Sequence, residues 1–219
     1  MFINDLVSEL PKGVKAALYA DDLVLWCKEE HASTANYRIQ QAIEQLTAWT
    51  EDNKDKSFTS LFTLSPKKQN RSIKNGTHNL KEEDQSTYLG VTFDKRLTWK
   101  THTLRTEGKA RKKLAIMRKL AGTTWGTNEQ ILMTVYEGSV RPVLEYSSTA
   151  WYTTANTNQQ SLDKIQKQVL RIITVAMKST PITFMEQTTA IQPLQQRRQA
   201  KFLLQAEKYK CLPDHPMKK

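Results

Sequence analysis

The stretch that most constrains this chain is Leu18-Tyr19-Ala20-Asp21-Asp22-Leu23-Val24-Leu25-Trp26. Two adjacent carboxylates stand between two apolar-rich runs, Val14 to Tyr19 and Leu23 to Cys27. Each run is short enough for a strand and too short for an ordinary helix. Ala20-Asp21 has the length of a two-residue hairpin loop, and Asp tolerates the backbone that such loops demand. The pattern predicts a hairpin with both acids at its tip and buried strands behind them. Two close carboxylates repel, and each raises the other's pKa unless a cation lies nearby. A divalent oxygen-seeking ion, Mg²⁺ above all, resolves that conflict. An acidic turn without a metal is the plainer alternative.

Charge narrows the partners. The chain carries 33 Lys and Arg against 22 Asp and Glu, a net of +11, with a pI near 9.6. A surplus of that size points to a polyanion, nucleic acid first. At 219 residues and 38% hydrophobic content, one large domain or two small ones can form a core. No apolar run approaches a membrane span, and Met1-Phe2-Ile3-Asn4-Asp5 does not read as a signal peptide. Two cysteines, Cys27 and Cys211, make no disulfide framework. These features predict an intracellular protein, nuclear or cytoplasmic. Cys211 and His215 are too few to complete a tetrahedral metal site.

Periodicity sets out the rest. His31 to Trp49 has helical spacing, with Tyr37, Ile39, Ala42, Ile43, Leu46 and Trp49 on one side. Phe58 to Leu64 reads as a strand, and Ser72 to Leu80 as a hairpin about Asn75-Gly76. Tyr88-Leu89-Gly90-Val91 is a strand running into a turn where Gly90 permits close backbone approach. From Thr98 the pattern turns helical. Thr101 to Ala121 places Leu104, Leu114, Met117 and Ala121 inward and is densely basic elsewhere. Further helices are predicted over Asn128 to Gly138, from Arg141-Pro142 through Tyr146 and Trp151, and from Gln159 to Met177. The last two begin at Pro181 and Pro193. The fold class is α+β: a partial antiparallel sheet with packed helices, followed by a mostly α-helical region.

Tyr19-Ala20-Asp21-Asp22 followed by Leu23-Val24-Leu25 resembles the signature hairpin of reverse transcriptases of non-LTR (LINE-type, jockey-like) retrotransposons. Tyr88-Leu89-Gly90-Val91 with Trp99 resembles the hairpin that supports the primer strand in those enzymes. Asn53 and Lys56 resemble the palm motif between them. Val143-Leu144-Glu145-Tyr146 and Ile191-Gln192-Pro193-Leu194 resemble phrases of the region after the palm. Two strong motifs in the right order, about seventy residues apart, make chance a poor account.

The resemblance implies a partial palm over residues 1–97, a helical thumb and C-terminal region over 98–210, and a disordered tail over 211–219. It implies an RNA-directed DNA polymerase working by two-metal nucleotidyl transfer in the parent enzyme, with RNA template, DNA primer and deoxynucleotides as partners and no membrane. Asp21 and Asp22 would be the metal-binding catalytic acids, and Lys56 a general acid or charge partner for the departing pyrophosphate. Tyr19 would position the primer end, with small Ala20 leaving it room. Tyr88, Leu89 and Gly90 would support the primer, and Arg105, Lys109, Arg111, Lys112 and Lys113 would hold duplex phosphates. Trp49 and Asn53 are four residues apart where the family has a further turn and strand, which leaves the place of Lys56 open.

By the same resemblance the fingers and an earlier palm strand, with a third acid, would precede Met1. The chain is therefore expected to be inactive alone. A missing unit charge about 4 Å from a cation is worth roughly 4 kcal/mol at an effective dielectric of 20, about a thousandfold in rate. The alternative is a non-catalytic basic helical module that binds nucleic acid or a protein partner. A decayed element fragment is a third reading.

Overall fold

The Tyr-Ala-Asp-Asp run folds as a hairpin. In the computed structural model, which describes residues 10–20, 22–46, 57–65, 72–122 and 127–212, β1 (Val14–Tyr19) pairs antiparallel with β2 (Asp22–Cys27). The register runs from Val14↔Cys27 to Tyr19↔Asp22, so the turn between the strands spans two residues. Ala20 has φ +52, the left-handed backbone that two-residue hairpin loops require. Asp21, Trp49, Asn53, Lys56 and His215 lie outside the described residues. The chain divides into two compact units, Met1–Ser86 and Thr87–Lys219.

Strand alternation sorts the first hairpin into two faces. Val14, Ala16, Leu18, Leu23, Leu25 and Cys27 share one; Lys15, Ala17, Tyr19, Asp22, Val24 and Trp26 share the other. Helix α1 (Ala32–Gln45) covers the first face, where the Cys27 thiol donates to the Ala35 carbonyl at 3.6 Å. Val14, Ala42, Ile43 and Leu46 are buried together with Ile73. The expectation of buried strands needs correcting, because one layer of helix covers one face and only Val14 is fully enclosed. Arg38 of α1 pins the turn before β1 by donating to the Lys12 carbonyl at 2.9 Å and pairing with Glu29 at 2.9 Å. Its guanidinium occupies the space a Cβ on Gly13 would need, and Gly13 has φ +93, so only glycine suits this position.

The rest of the first unit is thinly ordered. The strand expected over Phe58 to Leu64 shrinks to β3 (Phe58–Thr59). It pairs with β6 (Lys81–Glu82) in parallel. Phe58 and Phe62 are exposed and Leu64 is 82% exposed, so burial does little to extend the strand along the apolar run. The hairpin expected about Asn75-Gly76 forms from β4 (Lys74–Asn75) and β5 (His78–Asn79), but Asn75 pairs with His78, so the loop is Gly76-Thr77, one residue later, with the left-handed backbone (φ +59) on Gly76. Gln40 of α1 secures it by bonding both the N–H (2.8 Å) and the carbonyl (3.1 Å) of Lys74.

β7 (Gln85–Tyr88) and β8 (Val91–Asp94) make the third hairpin. Asp94 then organises the turn into the next helix. Its carboxylate accepts the N–H groups of Arg96, Thr98 and Trp99 (3.2, 2.9 and 2.7 Å) and the Thr98 hydroxyl. Burial pushes this carboxyl up, and the hydrogen bonds from Thr98 and Trp99 outweigh it, leaving its pKa below the ordinary value.

Helix α2 (Lys100–Leu120) buries Thr103, Thr106, Ala110, Leu114 and Met117, at spacings of three and four. Leu104, expected inward, is 57% exposed. One residue turns a helix by about 100°, which carries Leu104 past Thr103 on the side away from Thr106 and Ala110, whereas His102 falls on the near side. The inward side of the first half of α2 is threonine and alanine, which an apolar pattern does not reveal.

α3 (Glu129–Val135) starts on Asn128, whose side chain accepts the Ile131 N–H at 2.9 Å. It runs without a break through a wide π turn, Tyr136–Val140, into α4 (Arg141–Glu145). The Arg141 N–H reaches back five residues to the Tyr136 carbonyl. Pro142 has no N–H to give and its ring crowds the preceding turn, which accounts for the widening. The helix expected to reach Trp151 stops at Glu145, because Tyr146 has ψ +126 and Ser147 has φ +48.

α5 (Asn156–Ile173) ends before Met177, which is 77% exposed; it is followed by α6 (Ile182–Thr189) and α7 (Leu194–Cys211). Pro181 and Pro193 precede α6 and α7 as the sequence predicts. Leu114, Met117, Tyr136, Leu144, Trp151, Leu162, Ile165, Met185 and Leu194 form a single dry cluster. The Gln166 amide crosses it to bond the Gln192 carbonyl and the Leu194 N–H, at 2.8 and 2.9 Å. Among the described residues no helix is long and apolar enough to cross a membrane. The α+β class stands.

Candidate functional site

The first candidate is the tip of β1–β2. Tyr19, 64% exposed, faces Asp22 directly across the ladder, on the side that α1 leaves uncovered. Ala20 and Asp22 are exposed beside it. Asp21 falls between them in sequence and outside the described residues, as does Lys56. Among the described residues no group of three or more histidines, cysteines or carboxylates converges to hold a metal ion. Asp22 alone does not fit Mg²⁺, which prefers several oxygen ligands.

The second candidate is built on the third hairpin and α2. The loop residues Leu89 and Gly90 have φ +46 and +76, the pair of left-handed conformations of a primed turn. Tyr88, Leu89 and Gly90 thus sit together at a hairpin tip, as their motif implies. The five basic residues expected to meet phosphate separate into two kinds. Arg105 donates to the Thr87 and Thr92 hydroxyls at 3.1 and 2.8 Å, and Arg111 pairs with Glu107 at 2.6 Å. Both guanidinium groups are engaged within the protein. Lys109, Lys112 and Lys113 are exposed, and no ion pair holds them among the described residues. Lys119 falls in helical register with Arg105, Lys109 and Lys112, opposite the buried stripe.

His102 is a residue that the motifs do not pick out. It is buried on α2, and its Nδ1 accepts the Thr92 N–H at 3.2 Å. Burial lowers its pKa, and the charges of Lys109 and Arg105 lower it further. A buried imidazole accepting at Nδ1 is neutral, with its proton on Nε2. The only sequence signal is a histidine on the inward side of a helix start that has few apolar residues.

Ion pairs elsewhere in the second unit are architectural. Glu145, nearly buried, takes hydrogen bonds from Arg197 and Lys201 of α7. Burial would raise its carboxyl, but these two partners outweigh it and hold the pKa below the ordinary value. Arg198, 1% exposed, lies over the Trp151 ring and binds Asp163 at 2.6 Å. The basic surplus itself is confined to one unit. Residues 1–86 hold 11 Lys and Arg against 13 Asp and Glu, a net of −2, whereas residues 87–219 hold 22 against 9, a net of +13.

The described site is an acidic hairpin tip in one unit and a second hairpin beside a basic helix in the other. Comparison with known proteins finds similarity to polyproteins and a polymerase of non-LTR retrotransposons, of the R1 and jockey-like kinds. The chain is similar to the "Retrovirus-related Pol polyprotein from type-1 retrotransposable element R1 4" of Nasonia vitripennis, 28% identical over 184 residues, 74% of this chain and 47% of that protein. It is similar to the "Probable RNA-directed DNA polymerase from transposon BS" of Drosophila melanogaster, 28% identical over 178 residues, 75% of this chain and 19% of that protein. A 115 kDa protein in the type-1 retrotransposable element R1DM of Drosophila melanogaster is 20% identical over 176 residues, 78% of this chain and 17% of that protein. The chain thus spans about half the length of the first relative and less than a fifth of the others. No family model and no solved structure matches it.

Proposed function

We propose that this chain is a segment of the reverse transcriptase region of a non-LTR retrotransposon polyprotein, and that its own contribution is to hold an RNA template paired with a DNA primer. The observation that supports the reading is Tyr19 paired with Asp22 at a hairpin tip, with Ala20 in a left-handed backbone beside them, in a chain alike to such polyproteins over about three-quarters of its length. Asp21 and Asp22 are the carboxylates it would bring to a magnesium site of the parent polymerase, where the metal would supply charge stabilisation for nucleotidyl transfer. Lys56 keeps its role as a candidate partner of the leaving pyrophosphate. With no further ligand converging among the described residues, the polypeptide alone is expected to extend no primer.

Duplex binding tests the reading. Affinity for an RNA–DNA hybrid, read by fluorescence anisotropy, should fall linearly with salt on a log–log plot, by about 0.9 for each phosphate contact. Changing Lys109, Lys112 and Lys113 together to glutamate should flatten that slope by about 3. The same change at Lys12, Lys15 and Lys28 of the first unit should leave it alone. A chain that binds no hybrid, or whose binding ignores the three lysines of α2, refutes the proposal. Magnesium-dependent primer extension abolished by Asp21→Asn would show that the acid pair works without further residues.

A further inference from the structure

We propose that Tyr146 is a positioning residue that holds the Leu89-Gly90 tip in the shape that meets the primer strand. The proposal rests on the polymerase reading above. Leu89 has φ +46, a backbone that side-chain-bearing residues avoid, so the turn needs an outside hold. The Tyr146 hydroxyl supplies one by donating to the Leu89 carbonyl at 2.6 Å, across 57 residues of chain. Its ring lies 3.5 Å from where a Cβ on Gly90 would stand.

The hold is itself anchored. The Trp151 indole N–H donates to the Tyr146 carbonyl at 2.9 Å, and Trp151 is fully buried. A line of bonds therefore runs from the core through Tyr146 to the tip. Arg105 and His102 fix the two strands behind it, through Thr87 and Thr92. Tyr146 is 52% exposed, so its ring adds little to the core, and its hydroxyl is spent on the turn.

The test uses the full chain and Tyr146→Phe, which removes one oxygen and keeps the ring. Two RNA–DNA hybrids of equal length serve as probes, one with a recessed DNA 3′ end and one blunt. The wild-type chain should favour the recessed end, and Tyr146→Phe should bring the two affinities together while blunt binding changes by less than twofold. Amide exchange over Leu89 to Val91 should quicken about tenfold. A purely structural tyrosine would weaken both hybrids alike. Retained preference with unchanged exchange overturns the positioning role and leaves the polymerase reading intact. A wild-type chain that binds neither hybrid overturns that reading, and this role with it.

Discussion

Met1–Ser86 carries a net charge of −2 and a small interior of Val14, Ala42, Ile43, Leu46 and Ile73; Thr87–Lys219 carries +13 around an unbroken apolar cluster. The contrast separates two charge environments that a single overall charge of +11 conceals. Carboxylates presented for a cation gain from surroundings that are not crowded with lysine, since nearby bases compete for them. Phosphate, in turn, needs exposed bases without acid partners, and the second unit keeps Glu107, Glu145 and Asp163 occupied with arginines while the lysines of α2 stay unpaired among the described residues. Stability divides along the same line. The first unit buries few apolar side chains beneath one helix, whereas the second packs several helices about one core.

The largest expected effect breaks the contrast at its stronger end. Trp151→Ala should cost about 3–5 kcal/mol in urea unfolding, since it empties a fully enclosed site and removes the anchor of Tyr146. Ile43→Ala should cost about 2 kcal/mol, at the foot of the range for buried aliphatics, because a shallow interior collapses more easily. Equal costs would show that the two interiors do not differ as described.

Next comes the comparison of ion pairs. Glu145→Ala strands Arg197 and Lys201 beside a buried position and should cost about 2–3 kcal/mol. Glu29→Ala, which frees the partly exposed Arg38, should cost less than about 1 kcal/mol. The pH dependence carries a definite sign. The folded Glu145 carboxyl has the lower pKa, so its stabilisation is present above about pH 4.3, the unfolded value, and is lost as pH falls through the folded one.

The smallest effect belongs to His102. Its folded pKa is depressed, so below about pH 6.5 the unfolded chain takes up the proton first and stability declines. His102→Gln can still accept the Thr92 N–H and should remove that part of the decline when thermal unfolding is followed between pH 7 and 5. An unchanged slope would mean that the titration arises elsewhere.

Much of this fold is legible because it is locally encoded. The turns after Tyr19, Tyr88 and Asn75 announce their hairpins by loop length and residue type, though the third is set one residue later than Asn75-Gly76, and Asn128, Pro181 and Pro193 mark helix starts where they were expected. What the sequence hides depends on distant partners. Phe58 to Leu64 has strand character, but only Phe58–Thr59 pairs as strand. Leu104 looks like core until Thr103 and Thr106 take that side of α2. Arg105 reads as a phosphate ligand, yet it is bound to Thr87 and Thr92, and Tyr146 becomes a site residue only through a carbonyl 57 positions away.

The wide turn at Tyr136–Val140 governs more than its own five residues. One additional residue per turn resets the phase of everything after it, by about the angle that separates neighbouring side chains on a helix. Glu145 meets α7 and Tyr146 meets the hairpin tip only in that phase. Regular α pitch through the same residues would swing both groups off target at once, whereas deleting one residue there, Gly138 for instance, would restore ordinary pitch and leave both in place. A single local irregularity thereby times two long-distance fastenings.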